Sequence, residues 1–173
     1  TTASEFSSAV QSILLKQPAG LIIDLRNNPG GYLDAAVDVA DAFLVDGAIL
    51  IEDYGNSRTN TVSADDAAPL AGMRTVVLVD EGSASAAEIL AGALRDRLQA
   101  PLIGEKTFGK GSVQEIEDLP DGSTLKLTVA HRLTPNGTSI DKTGLQPDLV
   151  IAGSETPAET DPQLDAALER LSK

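Results

Sequence analysis

The 173-residue sequence predicts an α/β fold. Three observations carry this. Short apolar runs, residues 20–26, 48–52 and 75–80, have the length and composition of buried strands. Turn sequences rich in Gly, Asn and Ser follow two of them, at residues 27–31 and 81–85. Each of those turns opens into a segment with small and apolar residues at helical spacing.

In chain order, residues 1–15 place Phe6, Val10, Ile13 and Leu14 on one helical face, with Ser4 as a candidate cap. Residues 20–26 form a strand that ends in the turn Asn27-Asn28-Pro29-Gly30-Gly31. Residues 33–44 read as a helix packing through Leu33, Ala36, Val37, Val39, Ala40 and Phe43. A strand at 48–52 precedes a polar region, 53–72, read as a hairpin or a mobile loop near a site. The run at 75–80 is the most apolar strand; after Glu81-Gly82-Ser83-Ala84-Ser85 comes a helix over 86–95. A short strand at 102–104 leads into residues 105–114, and residues 112–122 read as strand and turn. Residues 123–133 alternate like exposed strand, Pro135-Asn136-Gly137 marks a turn, and residues 162–171 form a terminal helix.

Composition narrows the function. With 13 basic and 26 acidic residues the net charge is −13, which argues against nucleic-acid or anionic-membrane partners. There is no cysteine, so disulfides and thiolate-held metals are excluded. No apolar run reaches membrane length, and no secretory leader stands in the sequence as it begins. One compact domain is expected over residues 1–173.

A serine between a strand end and a helix start is held exposed, with unpaired backbone N–H groups beside it. Ser85 occupies such a place, although a plain helix cap is the bland reading. A serine hydroxyl is a weak nucleophile until a base takes its proton. The one histidine, His131, lies in a strand segment away from any serine–acid pattern and reads as a strand residue. Lys110, flanked by Gly109 and Gly111, is the alternative base. For that role burial must lower its pKa, since a desolvated ammonium is disfavoured. Gly30-Gly31 at a strand end can present N–H groups to an oxyanion, or serve only as a tight turn. Asp24 and Arg26 are read as a pair holding that turn, and Glu88 as a helix-end or packing residue.

The residues 82–89 (Gly-Ser-Ala-Ser-Ala-Ala-Glu-Ile), 104–114 (Gly-Glu-Lys-Thr-Phe-Gly-Lys-Gly-Ser-Val-Gln) and 24–31 (Asp-Leu-Arg-Asn-Asn-Pro-Gly-Gly) together resemble the carboxyl-terminal processing, or tail-specific, serine proteases. The resemblance implies the Clp-protease/crotonase-like core, with ββα-type repeats and a mixed sheet packed by helices. It implies that Ser85 is the nucleophile and that the general base, 25 residues on, is Lys110 rather than Lys106, supported by Gln114. It also implies an oxyanion hole from the Gly31 N–H, with Gly30 beside it, and the Ala86 N–H. Neither a cofactor nor a metal is required. Protein or peptide substrates are implied, with self-association possible, and a cell-envelope, periplasmic or secreted location.

The sequence departs from that family pattern in three ways. Nothing in it resembles the PDZ domain that the family usually inserts before the Asp-Leu-Arg motif, and the chain begins inside the family's core. It is therefore read as a trimmed piece, a nicked part or a reduced natural form. Ala87 stands where many relatives have serine. The rival class is a non-catalytic ligand- or peptide-binding module of the same fold, as in retinoid-binding repeats or crotonase relatives. Residues 104–110 also begin like a phosphate-binding loop, but Gly111 replaces the required Ser or Thr and no helix is expected to follow. Asn136-Gly137-Thr138 matches a glycosylation sequon, for which a turn is the better reading.

Overall fold

In a computed structural model, residues 2–65, 68–154 and 160–173 are described, residues 2 and 3 by their backbone alone. Four parallel strands form one sheet in the order β1 (Leu21–Asp24), β4 (Thr75–Val79), β5 (Leu102–Gly104), β8 (Leu149–Val150). A second, antiparallel sheet has the order β3 (Thr59–Ser63), β2 (Ala48–Asp53), β7 (Thr124–Leu133), β6 (Ser112–Asp118). The expected mixture of strand directions is thus distributed over two sheets.

All five residues of β4 are buried, and their alternation divides the core. Val77 and Val79 face the larger cluster, which contains α2 (Leu33–Asp41) and α3 (Ala86–Leu98). Val76 and Leu78 face the other side and pack with Ile103 and with Ala167 of α4 (Pro162–Ser172). α4 starts cleanly because the Asp161 carboxylate accepts the Leu164 N–H at 3.0 Å and Pro162 fills the first turn. In α3 residues 86–94 are all buried, so this helix is central and carries no solvent face over most of its length. α1 (Thr2–Lys16) lies against α2, with the Phe6 and Phe43 rings 6.3 Å apart.

Several boundaries differ from expectation. α1 already includes Ser4, which stands inside the helix rather than at its N-cap position. α2 stops at Asp41, and Phe43 and Leu44 close a tighter turn onto Ala40. The polar region contains β3, paired antiparallel with β2 as a hairpin; its residues 66 and 67 lie outside the described ones. β8, two residues long, was not anticipated. The loop after β5 leads into β6 rather than a helix, as the dismissal of a phosphate-binding loop requires.

This topology positions the site. β1, β4 and β5 are neighbours and parallel, so the three loops leaving their carboxyl ends, residues 25–31, 80–85 and 105–111, gather at one edge of the sheet.

Candidate active site

The loop after β4 turns through Asp80 into α3. Ser85 stands at the helix N-cap with φ 55° and ψ −116°, a conformation side-chain-bearing residues rarely adopt. It is partly exposed. Its N–H donates to the Glu88 Oε2 at 2.9 Å, which holds the strained turn in place.

The loop after β1 is bound to this turn. The Ala84 N–H donates to the Asn28 carbonyl at 2.9 Å, and the Asn28 side-chain oxygen accepts the Gly30 N–H at 2.9 Å. Gly30 has φ +87°, and a Cβ there would lie 2.5 Å from the Ala84 carbonyl oxygen and 2.8 Å from the Ala86 nitrogen. Only glycine permits that approach. Among the described residues, neither the Gly31 N–H nor the Ala86 N–H has a hydrogen-bond partner. Ala86 follows Ser85 and opens α3, where the helix dipole favours negative charge, and Gly31 follows Gly30, whose backbone approaches both residues. Next to them opens a recess of about 220 Å³ whose walls include Leu25, Ala36, Val39, Ala87 and Leu90.

The loop after β5 is fastened by Glu88, a side chain with no exposed surface. Glu88 Oε1 accepts the Thr107 hydroxyl and, at 2.8 Å, the Gly109 N–H. Glu88 Oε2 accepts the Lys110 N–H at 2.9 Å and shares that oxygen with the Ser85 N–H. The Ser85 and Lys110 backbones are therefore joined through one carboxylate oxygen. Sequence reasoning gave Glu88 only a helix-end or packing role. The spacing Ser85-x-x-Glu88 is a capping-box pattern, the one signal that could have singled it out.

The side chains complete this picture only in part. Lys110 is exposed, which corrects the expectation that burial surrounds its amine: Gly109 and Gly111 give no cover, and Phe108 is itself 67% exposed. Among the described residues its amine has no hydrogen bond or ion pair. Lys110 and Phe108 face an open cleft of about 690 Å³ with Asn27 and Pro29. Gln114 is exposed on β6, just after a bulge and opposite Thr128, without a bond to Lys110. His131 stands on β7 with its Nδ1 3.3 Å from the Asp141 carboxylate. Among the described residues no group of three potential metal ligands converges.

In the loop after β1, Arg26 donates to both Asp24 oxygens, to both Asp161 oxygens and to the Gln163 side chain at 2.7–3.0 Å. The pairing expected between Asp24 and Arg26 is present, and α4 joins it. These carboxylates push the guanidinium pKa upward, and the Arg26 hydrogen bonds hold Asp161 below the usual carboxylate range.

The chain is similar to known proteins in sequence and in fold. Over 150 residues the chain is 43% identical to the carboxy-terminal processing protease CtpA of Bacillus subtilis (strain 168), covering 86% of the chain and 32% of that protein. It is 41% identical over 177 residues to the carboxyl-terminal-processing protease of Synechocystis sp. (strain ATCC 27184 / PCC 6803 / Kazusa), covering 97% of the chain and 40% of the relative. The chain thus spans 32% to 40% of the length of these relatives. Among solved structures, a photosystem II D1 C-terminal processing protease superposes with a TM-score of 0.84 at 35% identity, over 99% of this chain and 44% of that one. The sequence profile of Peptidase family S41 matches residues 1–151, and the chain belongs to that family.

Proposed function

We propose that this chain is the catalytic core of a serine endopeptidase of the carboxyl-terminal processing type. The observation that carries the reading is the Glu88 oxygen shared by the Ser85 and Lys110 N–H groups, since it couples the backbones of a nucleophile and a base. In the proposed reaction the Lys110 amine takes the Ser85 proton as Oγ attacks the peptide carbonyl. The Gly31 and Ala86 N–H groups, with Gly30 shaping their loop, receive the oxygen that becomes negative. Lys110 then returns the proton to the leaving amine, and water, activated the same way, releases the acyl group from Ser85.

A lysine serves as base only when its charged form is disfavoured. The exposed Lys110 amine would meet that condition once an extended substrate covers the cleft it lines and excludes water. Gln114 would then orient the amine. The apolar recess beside Gly31 would take the side chain preceding the scissile bond. Substrates would be proteins or peptides, and no cofactor is needed for this chemistry. A PDZ domain joined to this core would govern substrate capture, and a cell-envelope, periplasmic or secreted location suits a processing protease.

The same exposed amine is the observation that favours the rival reading, a non-catalytic peptide-binding module. Cleavage of an unstructured protein by wild type, Ser85→Ala and Lys110→Ala decides between them. Activity that is lost in both variants, with folding intact, is expected. Activity that persists in either removes that residue from the proposed mechanism. Absence of cleavage by the wild type, alone and within a longer chain carrying a PDZ domain, would place the binding module first.

A further inference from the structure

We infer that Ser83, two residues before the proposed nucleophile, is a positioning residue that sets the oxyanion loop against Ser85. The inference rests on the reading of Ser85 as nucleophile.

Ser83 has no exposed surface, yet all of its polar groups are used. Its hydroxyl accepts the Asp80 N–H at 2.9 Å and donates to the Leu25 carbonyl at 2.8 Å. The single hydroxyl proton goes to Leu25, because the Asp80 Oδ1 lies farther away, at 3.3 Å. The Ser83 carbonyl accepts the Phe108 N–H at 3.0 Å, and its N–H donates to the Asp80 carbonyl at 3.0 Å. One residue therefore touches all three loops: Leu25 begins the loop that carries Gly30 and Gly31, and Phe108 precedes Lys110 by two positions.

The hydroxyl is the part of this junction that a substitution can remove. Without it the half-buried Asp80 N–H loses its partner and the Leu25 carbonyl keeps only the longer bond from the Asn28 N–H, at 3.2 Å, a state relieved when the two loops part or water enters. Two other bonds tie these loops. The Asn27 N–H donates to the Asp80 carboxylate at 2.8 Å, and the Ala84 N–H donates to Asn28. They keep the fold together, so the predicted consequence is displacement of the Gly31 N–H relative to Ser85 rather than unfolding. Oxyanion donors act only within a narrow range of distance, and loss of one costs on the order of 10²–10³ in rate.

The experiment compares wild type, Ser83→Ala, Ser83→Cys and Ser85→Ala in three measurements. These are peptide hydrolysis, affinity for a peptide aldehyde that forms a tetrahedral adduct, and labelling by a fluorophosphonate. The assays run well below each variant's Tm. Ser83→Ala is expected to lower kcat about 10- to 100-fold with KM unchanged, and to weaken aldehyde affinity by the same factor. Ser83→Cys, closest in shape but a weak hydrogen-bonding partner, is expected to fall between the two. It also answers the question if Ser83→Ala does not fold. Wild-type kcat and aldehyde affinity in a folded Ser83 variant overturn the inference. So does a defect that rises through KM alone. Wild type that resists labelling, or labelling that survives in Ser85→Ala, overturns the reading of Ser85 itself and takes the Ser83 role with it.

Discussion

Glu88 and Lys110 meet through the lysine backbone: the Lys110 N–H donates to Glu88 Oε2 at 2.9 Å, and the same oxygen accepts the Ser85 N–H. A buried carboxylate is normally costly, but this one receives four donors and sits in the first turn of α3, where the helix dipole favours its charge. Glu88→Gln keeps the shape but turns one acceptor into an N–H₂ group facing N–H donors. We expect it to destabilise the fold by about 3 kcal/mol, from hydrogen bonds lost by a charged acceptor. Proteolysis should fall further than stability accounts for, because Ser85 and Lys110 lose their common anchor. Thermal melts beside cleavage rates check this; a Glu88→Gln protein with wild-type values of both would remove Glu88 from the site's framework.

The adjacent glycines of the proposed oxyanion loop separate a packing requirement from a functional one. Gly30→Ala forces a Cβ to within 2.5 Å of the Ala84 carbonyl, at a φ of +87°. It should lower both Tm and activity severely, since neither backbone can yield without moving the Ser85 turn. At Gly31 a Cβ meets nothing within 4 Å, so Gly31→Ala should fold with stability within about 0.5 kcal/mol of wild type. Its added methyl group lies in open space, which the proposed mechanism gives to substrate, so its cost should appear in hydrolysis alone. Equal melting temperatures for the two variants would contradict this division.

The order of strands and helices was legible because apolar runs and turn residues are local signals. The turn at Ser85 was legible for the same reason, since strand, small-residue turn and helix follow one another within 20 residues. What joins the loops was not. The partners of Glu88 stand at Thr107, Gly109 and Lys110, about 20 residues away, and no periodicity links a helix position to a later loop. Ser83 gave no sign because a buried serine and an exposed one read alike in sequence. The burial expected around Lys110 failed on similar grounds: flanking glycines speak of backbone freedom, whereas covering an amine needs side chains from elsewhere. β8 escaped because two residues carry no pattern.

The Arg26 cluster makes stability depend on acidity. Asp161 has its pKa held down chiefly by its hydrogen bonds from Arg26, and next by the Leu164 N–H. A carboxylate depressed in the folded state contributes stability that is full above its unfolded value, near 3.8, and is lost as pH falls through the lower folded value. Asp161→Asn keeps a helix-capping oxygen but removes the charge. Its deficit in Tm relative to wild type should be largest at neutral pH and should close in strong acid. Asp161→Ala should add a cap loss of about 1 kcal/mol at every pH. A Tm difference between wild type and Asp161→Asn that stayed constant into acid would show that the ion pair with Arg26 contributes nothing.

The recess beside Gly31 and Ala86 should set which residue precedes the cleaved bond. Its walls are small and apolar, with Ala36 and Ala87 among them, in a space of about 220 Å³. Ala87→Val fills part of that volume from α3 without touching a proposed catalytic group. Overpacking of a helix this buried should cost about 1–3 kcal/mol of stability. The informative quantity is a ratio, because loss of folded protein scales all substrates alike. Between peptides with leucine and with alanine before the scissile bond, kcat/KM should shift toward alanine by about tenfold or more, the discrimination that one or two methylenes give in an apolar pocket. An unchanged ratio would mean that substrate side chains do not enter this recess and that selection is made elsewhere along the cleft.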